Sequence, residues 1–348
     1  MLSQFIAGGN LCIENRMRAL GEFVTMNRSF TTLLSFFALT LGAWAHHGGT
    51  STSQGPGTPV ETNSPLTLPA GGTVVYTRAE IASFRKFLDF QPNNVDSFQF
   101  YQMGVSHGLT DYLTATAIVP YTIKSQDGLG STRGFGDGKV LLTLGFNYAP
   151  GEGLSLNGEE DTAVNLGTSD KTYFGLLTGI SMPSGRYNID LGAGVDSGQQ
   201  PGFGTPTITT GLSMTRGITE NFNVAADVSV DFFTRRSNGD KFGNEFRANL
   251  AGVLELYADK EAFVRRVDGI LELNYLHITR DETARVSELG TGGRILYLTP
   301  GFRMQVGDYN VGAGVKLPIA SSLNERSLQQ GSEGLEKYRL IMTVSTFF

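Results

Sequence analysis

Residues 221–234 read NFNVAADVSVDFFT, and this stretch decides the fold. Its even positions up to residue 232 are all apolar, whereas its odd positions include Asp227 and Asp231. Because successive side chains of a β-strand point to opposite faces, the pattern predicts a strand with one apolar and one wet face. Residues 243–257 repeat the pattern. A large soluble β sandwich gives the same alternation, so the alternation alone leaves two fold classes open.

Similar alternation recurs along the chain and predicts about twelve strands, with about 10 to 14 as the range that the pattern allows. We expect the strands near residues 72–87, 96–107, 112–124, 138–149, 171–182, 206–216, 221–234, 243–257, 265–279, 293–306, 309–319 and 337–348.

The connections between these strands alternate in length. Tight turns are expected at 108–111 (GLTD), 217–220 (GITE) and 307–308 (GD). The links on the opposite side, such as 184–205 and 321–336, are long and polar. Short turns at one end and long loops at the other are typical of outer-membrane β-barrels. The link at 150–170 is long where a short turn is expected, which leaves room for a further short element.

Two kinds of residue mark strand ends. Three strands are expected to end at a proline, Pro120, Pro183 or Pro318, because proline removes a donor from the β-ladder. The final strand has mostly apolar residues at every second position up to the terminal Phe348. This ending resembles the assembly signal of outer-membrane barrels. We therefore expect Phe348 to be recognised by the barrel-assembly machinery.

The N-terminal part divides into three segments before the barrel, which is expected over residues 71–348. Residues 26–45 are a signal peptide, with a basic start, an apolar core and an A-x-A cleavage site. Residues 1–25 precede this complete signal and indicate a non-native extension, with a true N-terminal extension as the alternative. Residues 46–70, rich in Gly, Ser, Thr and Pro, are a flexible periplasmic leader that either hangs free or enters the lumen.

Composition excludes several classes of function. The chain has 27 Lys and Arg residues against 33 Asp and Glu residues, and no basic cluster indicates nucleic-acid binding. Its single cysteine, Cys12, lies before the signal peptide, so an exported chain has no disulfide framework. No apolar run reaches the length of a membrane-spanning helix. A barrel in the outer-membrane lipid remains, because its strands average to near-neutral hydropathy.

Charged residues on the predicted strands form a candidate pore lining. A charge that faces lipid is costly, about 2–4 kcal/mol for Arg or Lys at the bilayer midplane. These side chains are therefore expected to face inward, as a surface that tunes conductance or as a salt-bridge network that keeps a narrow barrel rigid. They are Asp227, Asp231, Glu245, Arg247, Glu255, Asp268, Glu272 and Arg303.

Catalytic and metal chemistry receive little support. The motifs of zinc proteases, serine hydrolases and phosphate-binding loops do not occur, and no cofactor is expected. Residues 235–239 (RRSNG) resemble the H-x-S-N-G stretch of outer-membrane phospholipase A, but Arg235 stands where that family has its histidine base. His46 and His47 follow the cleavage site and form a weak candidate metal site, since imidazole is a common metal ligand.

Several short motifs resemble one family of outer-membrane barrels. They are 134–137 (GFGD), 179–185 (GISMPSG), 201–205 (PGFGT), 297–302 (YLTPGF) and 315–318 (VKLP), in this order. Together they are similar to the outer-membrane transporters of the phenol meta-degradation type, over roughly residues 96–348. The resemblance implies a monomeric channel that helps small, often apolar or aromatic, solutes to cross the outer membrane.

The sequence therefore predicts a closed antiparallel transmembrane β-barrel in the bacterial outer membrane, with passive transport of small solutes as its function. A structural or interaction barrel with a closed lumen is the alternative. Barrels of about eight strands are filled by side chains, whereas those of about 16 leave an aqueous channel, and twelve lies between.

Overall fold

The part of the chain that the structure describes contains sixteen strands, twelve of which are long. The computed structural model describes residues 51, 54–84, 96–126, 130–162, 170–191, 197–325 and 335–348. In chain order the strands are β1 (Thr73–Phe84), β2 (Ser97–Thr110), β3 (Leu113–Gln126), β4 (Gly130–Phe135), β5 (Lys139–Ala149), β6 (Gly153–Leu156), β7 (Thr172–Ser181), β8 (Thr207–Thr219), β9 (Phe222–Phe233), β10 (Glu245–Ala258), β11 (Val264–Ile278), β12 (Glu282–Thr283), β13 (Val286–Ser287), β14 (Gly293–Val306), β15 (Tyr309–Leu323) and β16 (Glu336–Phe347).

The twelve long strands close into a ring. Each pairs antiparallel with its neighbours in the chain, β3 pairs with β5, and β1 pairs with β16. The terminal residue completes the seam, because the backbone N–H of Phe348 donates to the Thr73 carbonyl at 2.8 Å. The Thr73 N–H donates in turn to the Phe348 carbonyl at 3.0 Å. The predicted closed antiparallel barrel of about twelve strands is confirmed.

The predicted alternation of faces holds in the strand that suggested it. In β9 the side chains of Asp227, Ser229 and Asp231 are buried inside the barrel, while Val228 and Phe232 are exposed on its outer surface. An outward apolar face against lipid and an inward polar face are what a membrane barrel requires. The alternation that signalled a strand therefore also fixes which side chains face the lumen.

Aromatic residues mark both edges of the outer surface. Tyr112, Tyr148, Tyr257 and Tyr309 are exposed near the end that carries the short turns and both termini of the barrel. On the half nearer the long loops, the exposed aromatic residues include Tyr101, Phe232 and Phe246. Aromatic girdles at both membrane interfaces are typical of outer-membrane barrels, whose short turns face the periplasm. The end with the short turns is therefore the periplasmic end.

The long link at 150–170 contains a short strand and a helical turn. β6 folds back along the end of β5, with Ala149 opposite Gly153, and a 3-10 turn follows at Glu159–Asp161. A strand of four residues is too short to give a recognisable alternation in the sequence.

Two of the three predicted strand ends at proline are wrong. β7 does end at Ser181, just before Pro183, but β3 continues past Pro120 and β15 continues past Pro318. Each proline instead lies where a strand changes its pairing on one edge. β3 pairs with β5 up to Ile118 and with β4 from Tyr121 onward. β15 pairs with β16 only up to Lys316, two residues before Pro318. The missing N–H thus interrupts one ladder without ending the strand.

Residues 1–45, which include the predicted extension and signal peptide, lie outside the described residues. Among those that are described, no helix is long and apolar enough to span a membrane.

Candidate functional site: the barrel lumen

A segment that precedes β1 occupies the lumen. We call residues 54–70 the plug. Most of its residues are buried, including Val60, Thr62 and Thr67, which have essentially no exposed surface. The sequence left open whether residues 46–70 hang in the periplasm or enter the lumen. The described part of this segment lies inside the barrel.

The plug forms a loop that rises from the periplasmic end and returns to it. Near its start, the Gln54 carbonyl accepts a hydrogen bond at 2.7 Å from Ser345, which lies close to the end of β16. Near its finish, the Ala70 N–H donates to Asp111, in the turn between β2 and β3, at 2.9 Å. Between these points the plug contacts residues at mid-height in the strands. It therefore crosses the lumen without reaching the outer rim.

Glu272 of β11 holds the middle of the plug. Its carboxylate accepts hydrogen bonds from the backbone N–H groups of Val60 at 2.8 Å, Glu61 at 3.0 Å and Thr62 at 2.8 Å. The Thr62 hydroxyl donates a fourth bond at 2.6 Å. Glu272 itself is fully buried. Hydrogen bonds to an ionised acceptor are stronger than neutral ones, and an N–H left unpaired in a buried site is costly. One wall carboxylate thus satisfies three consecutive backbone donors.

The single acidic side chain of the plug is held by two cations of the wall. The Glu61 carboxylate accepts from Lys316 of β15 at 2.5 Å and forms an ion pair with Arg78 of β1. Arg78 also donates to the Val60 carbonyl at 2.8 Å and pairs with Glu80 at 2.6 Å. All these side chains are largely buried. Removal of one partner from such a network leaves an uncompensated buried charge, which is strongly destabilising.

The ascending part of the plug is bound by two further predicted pore residues. Arg303 of β14 donates to the carbonyls of Thr58 at 3.1 Å and Pro59 at 2.8 Å. Asp268 of β11 accepts from the Gly57 N–H at 2.9 Å. Both wall side chains therefore contact plug backbone.

A second group of charges lies nearer the outer end. Asp231 pairs with Arg247 at 2.6 Å and with Lys139 at 3.3 Å, and Arg247 also pairs with Glu245. Asp227, four residues before Asp231 in β9, binds the plug instead, because its carboxylate accepts from the Asn63 N–H at 2.7 Å.

All eight predicted pore residues lie on the inward alternation of their strands. Asp227, Asp268, Glu272 and Arg303 contact the plug, whereas Asp231, Glu245 and Arg247 form the outer group. Glu255 contacts the plug only indirectly: it pairs with Arg266 at 2.9 Å, and Arg266 pairs in turn with Asp268 at 2.8 Å.

Sequence reasoning missed several charged residues that hold the plug or support its binding partners. Arg78, Glu80, Lys316 and Arg339 have the same inward alternation in β1, β15 and β16, so the period-2 pattern could have found them. The candidate metal residues His46 and His47 lie outside the described residues. Within the part of the chain that the structure describes, no group of three His, Cys, Asp or Glu side chains could hold a metal ion.

The lumen wall has two chemically different sides at the level of the plug. We call one the charged wall, formed by inward residues of β1, β11 and β14–β16: Arg78, Glu80, Asp268, Glu272, Arg303, Lys316, Glu336 and Arg339. We call the other the uncharged wall, formed by inward residues of β2, β3, β5, β7 and β8: Gly104, Ser106, Thr114, Thr116, Thr143, Gly145, Gly175, Leu177, Gly211 and Ser213.

The plug leaves two chambers in the lumen. The inner chamber, of about 320 Å³, opens below the plug and is lined by apolar residues such as Leu68 and Phe347 and by hydroxyls such as Thr116. The outer chamber, of about 90 Å³, lies above it and is lined by Phe203 and Phe233 together with the charged outer group. Both chambers combine apolar surface with a few polar groups, as small-molecule sites do.

The loop after β7 folds over the outer chamber. Lys124 of β3 donates to the carbonyls of Gly198 at 2.7 Å and Gln200 at 3.0 Å. Asp137, between β4 and β5, accepts from the N–H groups of Gly185 at 2.8 Å and Phe203 at 2.7 Å. Burial raises the pKa of the Asp137 carboxyl, and these backbone donors oppose the rise. The loop is thus held on the strands that it covers.

Comparisons with known proteins identify the architecture. The crystal structure of an outer membrane channel from Pseudomonas putida F1 is similar, with a TM-score of 0.61 and 13% identity over 82% of this chain and 98% of that chain. The β domain of the Bordetella autotransporter BrkA has a TM-score of 0.40 and 13% identity over 80% of this chain and 100% of that one. LpxR from Salmonella typhimurium has a TM-score of 0.40 and 10% identity over 79% and 100% of the two chains.

No family model and no curated protein matches the sequence. At these identities the likeness is one of fold. The fold is that of a barrel of the bacterial outer membrane, and the outward apolar surface with its aromatic girdles agrees with this location.

Proposed function

We propose that the chain is an outer-membrane channel for passive passage of small apolar or aromatic solutes. The observation that carries this proposal is the pair of chambers on either side of the plug. Aromatic surface in the outer chamber, from Phe100, Phe203 and Phe233, suits an apolar solute that arrives from outside. The inner chamber, with Leu68 and Phe347 in its lining, provides a second apolar surface toward the periplasm.

The alternative function is a structural or interaction barrel with a closed lumen. The plug favours this alternative, because buried ion pairs and hydrogen bonds hold it across mid-height. A barrel that serves only as a rigid scaffold would gain nothing from a chamber of about 320 Å³, since voids cost packing contacts. We therefore favour transport.

The test is transport by the refolded mature chain in a defined membrane. Planar-bilayer recording measures single-channel steps, and liposome swelling measures uptake of phenol, benzyl alcohol and sugars of increasing size. We expect steps of small conductance and faster uptake of the aromatic solutes than of sugars of similar mass. A barrel that gives no steps and admits no solute contradicts the proposal and favours the closed scaffold.

Two finer parts of the proposal have separate grounds: the monomeric state rests on the resemblance to transporters of the phenol meta-degradation type, and the role of Phe348 rests on the alternation of the final strand. We propose that the barrel is a monomer and that Phe348 is recognised by the barrel-assembly machinery. Size-exclusion chromatography tests the first claim, and assembly of a variant that lacks Phe348 tests the second. Metal binding through His46 and His47 remains a weaker prediction, which titration of the mature chain with nickel ions would test.

A further inference from the structure

The plug is bound unequally on the two sides of the lumen. Toward the charged wall, Glu272 accepts four hydrogen bonds from it, and Arg78 and Lys316 bind Glu61. Among the described residues, no ion pair joins the plug to the uncharged wall, where the Leu68 N–H, for example, donates to the Thr114 hydroxyl at 2.8 Å. Release of the plug from the charged wall would leave several buried charges without partners, which is unfavourable. Movement away from the uncharged wall carries no such penalty.

A series of cavities in the lumen borders the uncharged side. A third, small cavity of about 10 Å³ lies between the plug and strands β5, β7, β8 and β9. It shares two lining residues, Ser64 and Thr143, with the inner chamber. It also reaches Ser229 of β9, the inward neighbour of Asp231, which lines the outer chamber. These three cavities therefore follow one another from the outer end to the periplasmic end past the uncharged wall. A further cavity of about 30 Å³ lies on the charged side, lined by Lys316 and Arg339, but it shares no lining residue with the inner chamber.

We infer that solutes pass between the plug and strands β5, β7 and β8 of the uncharged wall, while the plug stays bound to the charged wall. This inference rests on the proposed transport function. The middle cavity is the narrow point, with room for about one water molecule. Leu177 lines it from the wall, and Asn63, bonded to Asp227, lines it from the plug. Beside this cavity the plug packs against the wall, because a Cβ atom added at Gly175 of β7 would lie 2.8 Å from the Cα of Pro65. Passage therefore requires residues 63–65 of the plug to shift together with the Leu177 side chain, and these residues set the size limit.

A disulfide that fixes the plug to the charged wall tests the path. A Cβ atom built at Gly314 of β15 would lie 3.7 Å from Cγ1 of Val60, with no backbone atom closer than 3.5 Å. The variant Val60→Cys/Gly314→Cys is therefore suited to a cross-link, and the only other cysteine, Cys12, precedes the predicted signal peptide. We expect the oxidised variant to keep the conductance and solute uptake of the wild type. The two single-cysteine variants, treated with the same oxidant, are the controls.

Loss of conductance on oxidation, with recovery on reduction, would overturn the inference, because it would show that the plug must leave the charged wall. The proposed function would survive that result. A wild-type barrel that admits nothing would instead overturn both claims. Gel migration first measures how much of the protein is cross-linked, and the recording is made on the fully cross-linked protein. Retained conductance of that protein supports the path.

A matched pair of truncations locates the narrow point without a cross-link. Leu177→Ala enlarges the middle cavity, whereas Ile341→Ala removes a similar volume beside Val60 on the other side of the plug. We expect higher conductance and a larger size limit for Leu177→Ala and no change for Ile341→Ala. The reverse result would overturn the inference. Heat-modifiable gel migration confirms that each variant is a folded barrel before it is recorded.

Discussion

The charged wall and the uncharged wall face the same plug with opposite chemistry. The charged wall binds plug backbone and Glu61 through residues such as Glu272, Arg78 and Arg303, all fully buried. The uncharged wall presents mainly hydroxyls and glycines, and the series of cavities from the outer to the inner chamber borders it. A buried charge needs a specific partner in a fixed place, whereas a hydroxyl or a methyl group tolerates exchange with water or solute. One wall can therefore hold the plug while the other leaves room.

The largest effect that would test this contrast is expected from Arg78→Ala. This change leaves Glu61 and Glu80 without one of their cationic partners and removes a donor from the Val60 carbonyl. Breaking a buried ion pair by removal of one partner costs about 3–5 kcal/mol. We expect a loss of that size in the free energy of unfolding, measured by urea titration in lipid vesicles with far-UV circular dichroism.

Arg265→Ala is the matched control for that variant. Arg265 pairs with Asp308 at 3.5 Å, and both side chains are exposed. An exposed pair contributes about 0–1 kcal/mol, so the control should unfold close to the wild type. Equal losses in the two variants would contradict the view that the charged wall holds the plug.

A smaller effect is expected from Glu272→Gln, which keeps the size of the side chain but removes its charge. The amide retains one acceptor oxygen for the N–H groups of Val60, Glu61 and Thr62, so their bonds weaken. We expect a loss of about 1–3 kcal/mol in the stability of the bound plug.

The measurement for Glu272→Gln is the labelling rate of Val60→Cys by a water-soluble maleimide, because Val60 is fully buried while the plug is bound. We expect faster labelling in the Glu272→Gln background than with Glu272 intact. Glu282→Gln, which removes the charge of a carboxyl that pairs with Arg235 away from the plug, is the control. Faster labelling with both changes would indicate general loosening of the barrel rather than loss of a plug contact.

The acidic residues of β9 give a third prediction, on ion selectivity. Clustered carboxylates inside low-dielectric walls favour cations, and the preference grows at low salt, where the screening length reaches about 30 Å at 0.01 M. Asp227→Asn/Asp231→Asn should therefore reduce cation preference in reversal-potential measurements without unfolding the barrel. Asp231 is already paired with Arg247 and Lys139, so Asp227→Asn alone should give most of the change. An unchanged reversal potential would place these carboxylates away from the conducting path.

The strands and their faces could be predicted from the sequence because each strand carries its own signal. In β9 the alternation between Asp227, Val228 and Ser229 is a local property of the sequence. It determines which side chains face the lumen and which face the lipid. The same rule would have found Arg78 and Arg339. Both face inward in strands that were predicted in nearly the right place.

The position of the plug could not be predicted in the same way. Residues 54–70 have no period, and the side chains that bind them lie far away in the sequence, such as Glu272 for Val60 and Asp227 for Asn63. These partners meet only because the barrel closes, and the register of closure is a property of the whole sheet. For the same reason the sequence identified the charged residues of β9–β11 and β14 but not the division of the lumen into two walls.

The smallest effect is expected on the uncharged wall, where Thr116 and Ser106 share a hydrogen bond of 2.8 Å beside the inner chamber. Thr116→Val leaves the Ser106 hydroxyl without that partner, at a cost of about 1 kcal/mol, whereas the double variant with Ser106→Ala should be nearly neutral. Urea titration gives the free energy of unfolding of both variants, which is compared with that of Arg78→Ala. The expected order follows from the chemistry of the walls. Both partners of a neutral hydrogen bond can be replaced together with little loss of stability, whereas a buried charge that loses one partner destabilises the protein strongly. A loss as large as that of Arg78→Ala would show that the hydroxyls also hold the fold, and the uncharged wall would then be too rigid to act as the side along which solutes move.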